Sequence, residues 1–137
     1  MATRSDGSVL KLQKNGERLT VSVETPGIDQ WVTYQLFYTS SPSQTQATQF
    51  GDGVNDDQQP DDWTLPKDAE DLSKYAIQWY FHVQPVPARP GSKMNVNIVV
   101  RQGKTKLGTF NYDYAIDETG KQVTDYAKLA FAAKASQ

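Results

Sequence analysis

The chain contains no cysteine, one histidine and two methionines in 137 residues. Without cysteine there are no disulfides, no thiolate metal sites and no cysteine nucleophile. A lone imidazole falls short of the two or three that a histidine-based zinc site uses. Long hydrophobic runs are missing too. The stretch "VTYQLFY" at 32–38 is broken by polar residues and is too short to span a bilayer as a helix. The opening "MATRSDGSVL" has no apolar leader segment, and a leader already removed would leave no trace, so the chain reads as soluble in either the cytoplasm or the exterior. No internal repeat is present. At this length one domain, residues 1–137, buries roughly two thirds of the surface of its unfolded chain and needs no covalent staple.

Concentrated positive charge is also lacking. The formal net charge is −2, but residues 52–71 hold eight acidic residues against Lys67, a net −7. The remainder, with thirteen basic and eight acidic residues, carries +5 spread from Arg4 to Lys134. Nucleic-acid binding asks for a clustered basic face, and none is legible.

What is present is mostly β patterning. "SVLKLQKNGERLTVSVE" has two alternating runs around Asn15-Gly16, a pair suited to a two-residue type I′ turn. That register sets Leu12 against Leu19 and Leu10 against Val21, all on one side. Pro26 and Gly27 then break the chain. "QWVTYQLFYTSS" at 30–41 reads as a strand with Val32, Tyr34, Leu36 and Tyr38 on the core face and Trp31 and Phe37 on the other. Residues 40–74 lose periodicity and read as one long acidic connection, relieved by a short helix near "KDAEDLSKYA". In "AIQWYFHVQP", Ile77, Trp79, Phe81 and Val83 alternate with outward Gln78, Tyr80, His82 and Gln84. The runs 93–102 and 105–116 form a second hairpin. An odd-length loop, Gly103-Lys104-Thr105, sets Ile98 against Phe110 and Val96 against Tyr112. In the tail, Val123, Tyr126, Ala127, Ala130 and Phe131 share a helical stripe among alanines, predicting a C-terminal helix over 122–134.

The motifs that could carry chemistry mostly fail their own tests. "RQGKT" at 101–105 lacks the upstream glycine and following helix of a phosphate loop. His82, the one imidazole for a triad, sits mid-strand with no nucleophile elbow. "FGDGVNDDQQPDDW" at 50–63 offers calcium ligands, with Asp52, Asn55, Asp56 and Asp57 as the candidate set. Its spacing departs from the EF-hand, since Val54, Asp57 and Trp63 stand at the third, sixth and twelfth positions. If the later strands are neighbours, Tyr80 and His82 share an outward face with Asn95, Asn97, Asn111 and Asp113. Asn97 then faces Asn111, and Asn95 faces Asp113. Asparagine is disfavoured in strands, and such a surface suits directional hydrogen bonding to a partner.

The expected architecture is a mainly β, two-layer antiparallel sandwich of about six or seven strands, with a long acidic loop and a C-terminal helix. A single sheet with one face covered by the helix is the alternative. The expected function is a non-catalytic binding module for a protein or polypeptide surface, with no cofactor, using Tyr80, His82, Asn95, Asn97, Asn111, Asp113 and Trp31. The alternatives are a carbohydrate-binding module, calcium-assisted, with Trp31, Tyr80 or Trp63 as stacking platforms, and a hydrolase drawing on acidic-loop carboxylates.

Overall fold

The structure, a computed structural model, describes residues 9–13, 17–25, 30–39, 47–55, 59–66, 72, 75–85, 93–115 and 120–131. They form β1 (Val9–Leu12), β2 (Leu19–Glu24), β3 (Gln30–Thr39), β4 (Thr48–Asn55), β5 (Asp61–Thr64), β6 (Ala76–Pro85), β7 (Lys93–Gln102), β8 (Thr105–Ala115) and β9 (Lys121–Phe131). The first sheet has the order β1-β9-β6-β3-β4 and the second β5-β2-β7-β8. Among these ladders β1–β9 is parallel and the others are antiparallel.

Alternation decides which side chains go inside. Val32, Tyr34 and Leu36 of β3, with Ile77, Trp79, Phe81 and Val83 of β6, are buried from the first sheet. Val21 and Val23 of β2, Val96, Ile98 and Val100 of β7, and Phe110 and Tyr112 of β8 meet them from the second in one apolar cluster. Contact across the layers is direct. The rings of Trp79 and Phe110 lie 4.8 Å apart, and those of Phe81 and Tyr112 meet edge-on at 5.1 Å. Edge-to-face geometry matches the positive rim of one ring to the negative face of another.

The expected pairing of residues 93–102 with 105–116 holds: Ile98 opposes Phe110, Val96 Tyr112, Asn97 Asn111 and Asn95 Asp113. The means differ from expectation. Gln102 pairs directly with Thr105 across Gly103-Lys104, and the odd residue is taken up by a register shift after Val100, leaving Leu107 without an opposite number. A bulge flips parity as an odd loop would.

Three expectations are corrected. The first hairpin ladder does not form, because β1 joins β9 in the first sheet while β2 pairs with β5 and β7 in the second. Leu10, Leu12, Leu19 and Val21 are all buried as expected, but from opposite layers. Residues 14–16, the expected turn, lie outside the described residues. The Gln102 amide holds this crossing, accepting from the Gln13 N–H and donating to the Gln13 carbonyl, both at 2.8 Å. Second, residues 40–74 are not one loop, since they contain β4 and β5 at an edge of each sheet. Of the helix expected near 67–76, only Leu72 and residues from Tyr75 onward are described; Tyr75 N–H donates to the Leu72 carbonyl at 3.0 Å, and Ala76 already begins β6. Third, 121–131 is a strand, with Val123, Asp125, Ala127 and Leu129 inward. Between them β6, along 121–128, and β1, along 128–131, give each residue of β9 a ladder partner and override the helical preference of its alanines.

Two glycines let the open sides of this pair of layers close. Trp63 of β5 lies so tightly on Gly51 of β4 that a Cβ there would stand 2.7 Å from the indole. On the other side Leu10 of β1 reaches Gly108 of β8, where a Cβ would lie 2.6 Å from a Leu10 methyl. An indole fixed by neighbours cannot give way, whereas a leucine terminus can rotate. Gly51→Ala is therefore expected to cost about 1–3 kcal/mol and Gly108→Ala distinctly less. Denaturant midpoints at unchanged slope check both.

Candidate functional site

The sequence-expected residues fall on two surfaces, not one. β6 pairs with β3 and β9, so Tyr80 and His82 belong to the outer face of the first sheet, where Trp31 also lies. Asn95, Asn97, Asn111 and Asp113 line the outer face of the second sheet. Faces turned away from a shared core cannot make one recognition surface.

On the second sheet the outer face is largely self-satisfied. Asn111 Nδ2 donates to Asn97 Oδ1 at 2.6 Å. Ser22 Oγ donates to Asp62 at 2.6 Å and accepts from Arg101 at 3.1 Å, while Arg101 also approaches Glu24 at 3.9 Å. Beneath these side chains Ser22 and Val99 are buried although they point outward.

The first sheet presents a different outer face. Cross-strand rows run Asp52–Gln35–Tyr80–Thr124, Val54–Thr33–His82–Gln122 and Phe37–Gln78–Tyr126. Trp31 stands opposite Gln84 and one same-face step from Thr33, the partner of Val54. Trp31 is 43% exposed and Val54 58%, beside half-buried Phe37, Tyr80 and Tyr126. Lys11 and Lys128 sit toward one edge of this face and Asp52 at the other. Phe37 was legible as outward from strand alternation. Tyr126 was hidden by the helical reading of the tail, and Val54 by the loop reading of its segment.

Among the described residues of the acidic stretch, Trp63, Asp61 and Asn55 form a seam between the layers. Trp63 Nε1 donates to Tyr34 Oη at 2.8 Å, and Tyr34 donates to Asp61 at 2.7 Å. Asn55 is buried, its Nδ2 donating to the Val23 and Gln59 carbonyls, each at 3.0 Å. Trp63 therefore faces inward and offers no stacking platform. Asp61 and Asp62 point to opposite faces of β5, one toward Tyr34 and one toward Ser22, so they do not converge as an acid–base pair. Asp52 and Asn55 likewise lie on opposite faces of β4, the first exposed and the second buried. Their side chains are therefore not brought together; Asp56 and Asp57 lie outside the described residues. No group of three or more histidine or acidic side chains among the described residues is placed to hold a metal.

A second seam repeats the chemistry. Trp79 Nε1 donates to Tyr112 Oη at 2.8 Å, and Tyr112 donates to Asp125 at 2.7 Å. Asp125 stands directly opposite Trp79 on β9, and both are buried. Among the described residues no buried side-chain nitrogen or oxygen lacks a partner.

No protein-family model, curated protein or solved structure matches this chain.

Two measurements test the seam. Burial raises the Tyr34 phenol above its ordinary value of 10.0; the Trp63 bond opposes this, while hydrogen bonding and charge from Asp61, and the charge of Asp52, add to it. The unfolded chain ionises first as pH rises, so this contribution is complete below pH of about 10 and is lost above it. Tyr34→Phe is expected to lower stability at neutral pH, because Trp63 and Asp61 lose a partner, and to make the alkaline loss shallower. Urea titrations at neutral and alkaline pH read both effects. Melting temperatures in calcium and in EDTA are expected to coincide, because the acidic side chains of β4 and β5 are divided between faces; a rise with calcium would show ligands converging elsewhere.

Proposed function

We propose that this chain is a non-catalytic binding module whose partner is a protein surface, engaged through the outer face of the first sheet. The observation that carries the reading is the exposure of Trp31 beside Val54. A large indole left in water next to a branched aliphatic side chain resembles the aromatic anchor of an interface more than a solubilising surface. Phe37, Tyr80 and Tyr126 extend the apolar area along neighbouring rows. Gln35, Gln78 and Gln122 supply donors and acceptors between them.

A glycan is the second reading, favoured by Tyr80. Its row places an amide, Gln35, on one side and a hydroxyl, Thr124, on the other, a combination that suits stacking and directional bonding to a sugar ring.

Trp31→Ala is expected to leave the melting temperature nearly unchanged, as surface substitutions do, and to weaken partner binding by about 2 kcal/mol or more. Asn97→Ala, on the opposite face, is expected to leave binding intact. Pull-down with both variants, followed by titration of the captured protein, makes the measurement. Retention by Trp31→Ala with loss by Asn97→Ala would move the site to the second sheet. A glycan-array signal abolished by Tyr80→Ala, with no captured protein, would establish the second reading instead.

A further inference from the structure

Each sheet ends in strands whose outer backbone edge has no strand partner among the described residues. These edges differ in how far they invite pairing. β1 and β5 have four residues each, too short to template much, and the β9 edge that β1 leaves uncovered at 121–127 bears Lys121. β8 is long but bears Lys106, follows the Lys104 turn and carries the irregularity at Leu107. Lysine on an edge and a bulge beside it are common deterrents to strand addition. β4 has eight residues, "TQFGDGVN", with no lysine, arginine or proline. Its ladder with β3 shifts register only between Leu36 and Phe37, and from Gly51 to Asn55 it runs without a break.

The side chains beside that regular stretch are the exposed ones. Asp52 and Val54 point outward from β4, and Trp31 stands just beyond Val54 on β3. Exposed Asp52 places a carboxylate at this edge, while the basic residues of the face, Lys11 and Lys128, lie toward the far edge. We infer that the β4 edge takes up an extended, basic polypeptide segment as an added strand of the first sheet. This rests on the binding-face reading above and names the partner's form and charge.

The geometry dictates a sequence pattern. Successive same-face residues of an added strand lie beside Asp52 and Val54, so the segment carries lysine or arginine two positions from a branched aliphatic or aromatic residue. The cation faces the Asp52 carboxylate. The apolar residue covers Val54. Backbone bonds to β4 supply affinity that is indifferent to the remaining side chains.

Selection of short random peptides on the full chain, followed by titration of the enriched ones, tests this directly. Enriched peptides are expected to show the basic–x–apolar spacing in either direction and to lose roughly tenfold or more in affinity against Asp52→Lys, whose folding is checked by its melting temperature. N-methylation separates edge pairing from simple attraction. Methylating one alternate set of peptide amides should abolish binding, because those amides face β4, while methylating the other set should be tolerated. Tolerance of both sets, or loss with both, overturns strand addition. Absence of enrichment, or enriched peptides without basic residues, overturns the partner class. Self-association of the chain that Asp52→Lys abolishes would assign the edge to a second copy and also overturn it. Peptides that tolerate both methylated sets yet lose binding to Trp31→Ala would remove the edge while leaving the binding-face reading standing.

Discussion

Two hydrogen-bond chains of the same composition, tryptophan to tyrosine to aspartate, tie the two sheets together through the apolar core. In one, Trp79 and Asp125 of the first sheet hold Tyr112 of the second between them. In the other, Trp63 and Asp61 of the second sheet hold Tyr34 of the first. The large aromatic rings that fill the space between layers bring polar atoms with them, and burying those atoms unpaired costs about 1–3 kcal/mol each. Passing the bond along to a carboxylate solves this for two rings at once. It also fixes how the layers sit on each other, since hydrogen bonds, unlike apolar contact, are directional.

That arrangement determines what remains for the surface. Aspartates that look like a ligand cluster in the sequence are divided by strand alternation, one satisfying Tyr34 and its neighbour Ser22. The second sheet covers its outer face with Arg101 and paired asparagines, whereas the first leaves Trp31 and Val54 in water. The asymmetry between the faces, more than any single residue, directs attention to the first sheet. In the proposed binding role its β4 edge would add a backbone surface to the side-chain one, joining apolar anchors and a ladder in one region.

Legibility in the sequence followed how local the determining contacts are. The β7–β8 register was readable because a short turn and two matched faces leave little freedom, even though a bulge replaced the expected odd loop. β3 and β6 were readable because strict alternation over ten residues has one interpretation. β9 was not. Its inward set runs Val123, Asp125, Ala127 and Leu129, and an aspartate there breaks the apolar alternation unless the tyrosine that accepts it into the core is known. β4 was hidden for a related reason: past the register shift its inward residues are Gly51, Gly53 and buried Asn55, and Phe50, which packs on the core, falls at the shift itself and so out of any alternation. Gly51 makes room for Trp63.

Residue order alone determined that this chain is built of strands, which side chains of the central strands are buried, and that its negative charge is concentrated in one segment. These properties depend on alternation and composition, which are local. Tertiary structure decided which strands became neighbours: the split of the first expected hairpin between layers, the recruitment of the alanine-rich tail as a central strand, and the separation of the expected polar constellation onto two outer faces. Those outcomes rest on pairings across many residues, where ladder bonds and interlayer aromatic contacts are weighed together and a local preference for turn or helix is outvoted.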